Sequence, residues 1–260
     1  MRRGKETAIY LLLLVGLGVM LYPAVSDWIN RLGGSYAIQQ MHSRLENTDI
    51  DRQMAMAEEY NRKIREKEEC TQEEYREILN ISQGMMGYLQ IPKIQADLPI
   101  YHGVGEETLA KGVGHMPETA VPIGGGGNHS VLTGHTGLPS AKLLTDLTEL
   151  ETGDLFYISI LGQQLTYQVD QIKVVLPSDS RDLAPVPGKD YCTLVTCTPY
   201  GVNSHRLLVR GIRQEKTAAE TVDIIYERKP QPITQFLWVF PVIMLLPAKL
   251  LKRTMKKKRA

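Results

Sequence analysis

The sequence predicts a mainly β domain, preceded by helices and flanked by two membrane segments. Three observations carry this. From residue 87 onward, short runs rich in β-branched and aromatic residues alternate with turn residues, with little helical pattern between them. Residues 35–82 are polar, charge-rich and poor in β-formers. An uncharged apolar run lies near each end of the chain, beside basic residues.

The first element is the apolar run 8–25, 18 residues long behind Arg2, Arg3 and Lys5. Its length just spans a hydrocarbon core of about 30 Å. A retained anchor (residues 1–26) is favoured over a cleaved signal peptide, whose apolar region would be shorter, although Ala24-Val25-Ser26 loosely fits a cleavage site. The basic flank predicts a cytoplasmic N-terminus and an exported body. Residues 27–86 read as one or two helices with a break near 47–51. A sparse apolar stripe of Tyr60, Ile64, Tyr75, Ile78 and Leu79 would lie against the following domain.

In the β domain, residues 87–215, strands are predicted at 88–91, 97–101, 130–133, 155–158, 165–175, 191–197 and 207–211. Residues 140–150 are expected to be the main helical insertion, with Leu143, Leu144 and Leu147 on one face. Residues 178–188, with two prolines, read as a loop. A linker, 216–232, leads to a second apolar segment at 233–251, broken by Pro241 and Pro247, and a basic tail at 252–260. Two spans with both ends cytoplasmic would leave the body outside the cell membrane. Residues 27–230 hold 20 basic against 28 acidic residues, so nucleic acid is not an expected partner. Membrane lipid is.

Three cysteines, Cys70, Cys192 and Cys197, cannot make a paired disulfide framework, and their spacing lacks the clusters of a zinc site. Nothing in the sequence calls for a metal or cofactor. Gly124–Gly127 lacks the Lys-Ser/Thr of a phosphate loop and reads as a flexible turn. Cys70 lies among Glu68, Glu69, Glu73 and Glu74, which would raise its pKa and make it a bystander. Cys192 should face a core, since strand alternation puts it opposite Cys197.

Cys197 ends one predicted strand and Arg206 begins its hairpin partner, across a turn holding Pro199, Gly201 and Asn203. A charged donor beside a strand-end cysteine favours thiolate, the form that attacks carbonyls. Of six histidines, His135 stands out because it follows a strand between glycines that permit close backbone approach. His205 should point away from its neighbour Arg206, so both cannot face Cys197.

These segments carry a resemblance. Thr193-Leu194-Val195-Thr196-Cys197 matches the TLxTC signature of sortases, with Arg206 where their essential arginine follows, and Val131-Leu132-Thr133-Gly134-His135 resembles their histidine segment. The flanks 135–142 and 198–211 look like class C, the pilin-polymerising type. The resemblance implies an eight-stranded β-barrel with Cys197 as nucleophile, His135 as general acid and base, and Arg206 stabilising substrate and oxyanion. Thr196, with Thr133 and Thr198, would help bind substrate. The implied substrate is an LPxTG-type precursor, pilin or surface protein. The implied acceptor is a pilin lysine amine or, alternatively, a peptidoglycan-precursor amine. A thiol hydrolase or a non-catalytic scaffold are the readings from other classes. One departure stands out: class C lids carry an Asp-Pro-aromatic motif, and residues 70–88 contain none. An altered lid, using Met85 and Met86, or an open groove is expected.

Overall fold

Helix α1 runs unbroken from Arg2 to Leu45. The computed structural model describes residues 2–215, with side chains from Tyr10; the predicted linker, second span and basic tail lie outside the described residues. Within α1, residues from Tyr10 onward form a helix long and apolar enough to cross a membrane, with a mean hydropathy of 1.7 in its most apolar window. The apolar run and the first half of the predicted helical region are thus one element. The chain then turns at 46–49, and Asp49 caps α2 (Ile50–Glu66) by accepting the Arg52 N–H at 3.0 Å. A capping box between Thr71 and Glu74 starts the short α3 (Gln72–Glu77).

Eight strands follow: β1 Met85–Ile91, β2 Ala96–His102, β3 Val113–His115, β4 Asn128–Thr133, β5 Leu155–Ile160, β6 Gln163–Val175, β7 Asp190–Thr198 and β8 His205–Gln214. They close into a barrel in the order β1-β2-β3-β4-β7-β8-β6-β5, with β5 pairing back onto β1. This is the predicted eight-stranded barrel. Closure removes the sheet edges that an open antiparallel sheet would leave unpaired. Alternate residues fill the interior: Leu89, Ile100, Leu132, Phe156, Ile158, Tyr167, Cys192, Leu194, Leu207 and Val209 share one core. Phe156 and Tyr167 stack there at 5.5 Å between ring centroids.

The helical segment docks on this barrel through the predicted stripe. Tyr60, Tyr75, Ile78 and Leu79 are buried and Ile64 packs beside them. Buried Asn61 accepts the Val121 N–H at 2.7 Å and donates to the Val121 carbonyl at 3.0 Å. The Tyr75 hydroxyl lies 3.0 Å from His115 Nδ1, donates to the His115 carbonyl and accepts the Gly103 N–H.

Two expectations fail. Residues 140–150 hold no α-helix: only Thr145–Glu149 winds, as a 3-10 turn, after Leu143 adopts a positive φ of 41°. The backbone is instead drawn back to the histidine loop, where the Leu144 N–H donates to the His135 carbonyl. Its three leucines are buried all the same. Met85 and Met86 form no lid, because both lie within β1 with 1% and 0% exposure and belong to the core. The short strand β3 was not foreseen, as three residues give no readable alternation.

Candidate active site

The register around β7 brings three chemical groups to one rim. β4 runs parallel to β7 with Thr133 beside Val195, and the Gly134 N–H donates to the Val195 carbonyl at 3.0 Å. Two residues further along each chain come His135 and Cys197. On the other side β8 runs antiparallel, with Arg206 directly opposite Cys197 and His205 opposite Thr198. Cys197 thus has Arg206 directly across the β7–β8 ladder and, on the β4 side, His135 two residues past the last paired position.

Alternation decides which way they face. Leu132, Cys192, Leu194, Leu207 and Val209 point into the barrel. The intervening Val131, Val195 and Leu208 form a separate apolar cluster with Met116, Val175 and Leu183. Cys197 and Arg206 fall in the phase of that outer cluster, while His135 lies two residues beyond the end of β4. All three are part-exposed, beside an outer apolar cluster whose members Val131, Val195 and Leu208 are themselves buried. Thr133 and Thr198, also part-exposed, stand on the same strands.

Thr196 faces the other way. It is 2% exposed, and its Oγ1 donates to the Gly134 carbonyl at 2.8 Å. Its hydroxyl therefore holds the backbone that carries His135. Gly134 is required at that junction: a Cβ there would come within 2.8 Å of the Leu144 side chain. His135 Nε2 lies 3.5 Å from a carboxylate oxygen of Glu106, at the start of α4 (Glu106–Leu109). That carboxylate is 91% exposed, so water and salt screen the pair. No sequence pattern singled out Glu106. Arg206 Nη1 donates to the carbonyls of Asn203 at 3.2 Å and His205 at 3.1 Å, which steadies the turn. Among the described residues no partner takes up its Nε or Nη2 donors.

The remaining thiols and imidazoles serve the fold. Burial pushes the Cys192 thiol well up inside the barrel. Cys70 is also pushed up, and burial outweighs its acidic neighbours, with Lys63 opposing. His115 is fully buried and held down at about 4. His102, between the carbonyls of Gly84 and Ile78, and His129, between Ala184 O and Thr193 Oγ1, are lowered by burial too. His205 meets Ser204 Oγ at 2.9 Å.

A sortase-domain family model matches residues 89–214. The crystal structure of sortase C1 from Streptococcus agalactiae is 46% identical with a TM-score of 0.67, covering 70% of this chain and 100% of that one. This chain belongs to the sortase family. Its structural neighbours are of the class C type. Another is sortase C-1 from Actinomyces oris, 46% identical with a TM-score of 0.60, covering 64% of this chain and 99% of that one. Among curated sortases, Sortase A of S. agalactiae is 32% identical over 117 residues and Sortase D of Bacillus subtilis 33% over 130, which are 44% and 49% of this chain. Those matches span 47% and 63% of the relatives' own lengths. No hydrogen bond, ion pair or ring contact joins residues 67–84 of this sortase to His135, Cys197 or Arg206 among the described residues.

Proposed function

We propose that this chain is a membrane-anchored cysteine transpeptidase. It would cut an LPxTG-type sorting signal between Thr and Gly and pass the acyl group to a lysine amine of a pilin subunit. The observation that supports the chemistry is Arg206 opposite Cys197 in the β7–β8 ladder, with His135 two residues beyond the last β4–β7 pair and all three part-exposed.

The Cys197 thiolate attacks the Thr carbonyl carbon and a C–S bond forms. Charge then gathers on the carbonyl oxygen, where the guanidinium of Arg206 stabilises it through its Nε and Nη2 donors, which no partner takes up among the described residues. The Thr–Gly C–N bond breaks as the His135 imidazolium gives its proton to the departing amine. The acceptor amine next attacks the thioester, His135 takes its proton, and the C–S bond breaks to restore the thiolate. An isopeptide bond results when the acceptor is a lysine.

Residues 8–25 form the retained anchor, residues 233–251 a second span, and both termini are cytoplasmic. Residues 27–86 brace the barrel, and the groove is open, since the expected lid motif is absent from the sequence. The neighbours named sortase C1 and sortase C-1 favour pilin work over attachment to the cell wall.

The test is to incubate the full chain with an LPxTG peptide and, separately, a lysine-bearing pilin peptide, a peptidoglycan-type amine or water alone. Lysine isopeptide as the main product, absent with Cys197→Ala, is the expected result. Preference for the peptidoglycan-type amine would redirect the acceptor. Cleavage that survives Cys197→Ala would end the proposed mechanism.

A further inference from the structure

We infer that the catalytic rim rests on the bilayer, with Tyr200 and Val202 set into the headgroup boundary. The inference builds on the membrane-anchor reading of residues 8–25 and adds which face of the barrel meets lipid.

Helix α1 passes without a break from the apolar run into the part that packs on the barrel. The run's 18 residues rise about 27 Å, close to a hydrocarbon core, so the residues just after it stand at the membrane surface. Asp27 is one of them. Its Oδ1 accepts the Lys142 backbone N–H at 2.7 Å, while Oδ2 is held by Arg31 at 2.9 Å. Lys142 belongs to the loop that leaves His135. The catalytic loop is therefore fastened to α1 at the depth where the helix leaves the membrane.

The rest of α1 prevents the barrel from swinging off. Gly34 lies against Pro99 of β2, Met41 is 1% exposed in the core, and His42 meets Tyr88 of β1 edge-on at 5.6 Å. The second rim loop, between β7 and β8, lies beside the first. A Cβ on Gly137 would fall 3.0 Å from the Tyr200 ring. Yet the two apolar side chains of that loop, Tyr200 and Val202, are 70% and 69% exposed to water. A tyrosine and a valine left bare next to the loop that is fastened to α1 suit the interfacial zone, where aromatic rings are enriched and apolar surface is drawn in. The groove at Cys197 then opens at headgroup depth, and both acyl donor and acceptor would be taken at the membrane surface.

Single-tryptophan chains test this. Trp28 and Trp238 are replaced by Phe, and Tyr200→Trp, Gln163→Trp or Leu14→Trp is added in turn. Each full chain is reconstituted in phosphatidylglycerol vesicles with lipid brominated near the headgroup end of the acyl chain. Gln163 starts β6, whose far end pairs with Arg206, so it marks the pole away from the rim. Tryptophan at 200 should lose about half its emission, as expected for a ring at the headgroup boundary, and tryptophan at 14 should be quenched as well. Tryptophan at 163 should not respond. Quenching at 14 with none at 200 overturns the rim proposal and leaves the anchor standing. No quenching at 14 removes the anchor reading and the rim proposal with it.

Discussion

Arg206 and Thr196 sit one ladder step apart on adjacent strands, yet they face opposite sides of the sheet and do different work. Arg206 presents a planar fork on the outer face, and a lysine would keep its charge while losing that fork. Arg206→Lys should lower kcat/KM by about 100-fold, the scale of losing one oxyanion donor, with the thermal midpoint unchanged. Near-normal turnover would remove Arg206 from the mechanism. Thr196→Val preserves shape but strips the Gly134 carbonyl of its buried donor, costing about 1–3 kcal/mol of stability. It should also lower kcat through the displaced His135 loop. Thr196→Ser, which keeps the hydroxyl, should restore both. If Val and Ser variants turn over alike, the bond does not position His135. The sequence pointed to Thr196 by its place in the motif. Its inward direction needed the barrel's phase, which only pairing with β4 and β8 fixes.

At the scale of elements, the hairpin of β7 and β8 was readable because Tyr191–Cys197 is rich in β-branched and aromatic residues and a Pro-Gly-Asn turn joins it to the apolar run at 207–211. The predicted break between α1 and α2 also stands, marked by Asp49 as a cap. What failed was decided by tertiary contacts. Residues 140–150 have a helical leucine spacing, but the His135 carbonyl and the barrel claim that backbone, and the leucines are buried without a helix. The helical segment as a whole is held by a few specific bonds. Tyr75→Phe keeps the ring and loses contacts to His115 and Gly103, so it should destabilise the chain by about 1–3 kcal/mol. Hydrogen exchange should report faster opening of α3 than of β7. Equal acceleration everywhere would mean that α3 does not open separately.

For the whole molecule, three buried histidines set an acid limit. Burial keeps His115, His102 and His129 below the ordinary 6.5, His115 at about 4, so the fold favours their neutral forms. The unfolded chain binds protons first as pH falls through 6.5. The stability they contribute is therefore full above that pH and is lost progressively down to the folded values. For His115 the total at stake is on the order of 3 kcal/mol. The urea midpoint should drop between about pH 7 and about pH 5, a range that lies above most carboxylate titration. A flat or rising midpoint would contradict the assignment. The proposed mechanism puts acyl transfer at one pole of the molecule, and its central claim is that Cys197 carries the acyl group. Intact-mass measurement of the full chain after brief exposure to an LPxTG peptide tests that most directly. The account predicts a mass gain equal to the peptide's LPxT part, reversed by hydroxylamine, mapped to Cys197 and missing in Cys197→Ala. An adduct on Cys70, or turnover with no adduct on any cysteine, would contradict it.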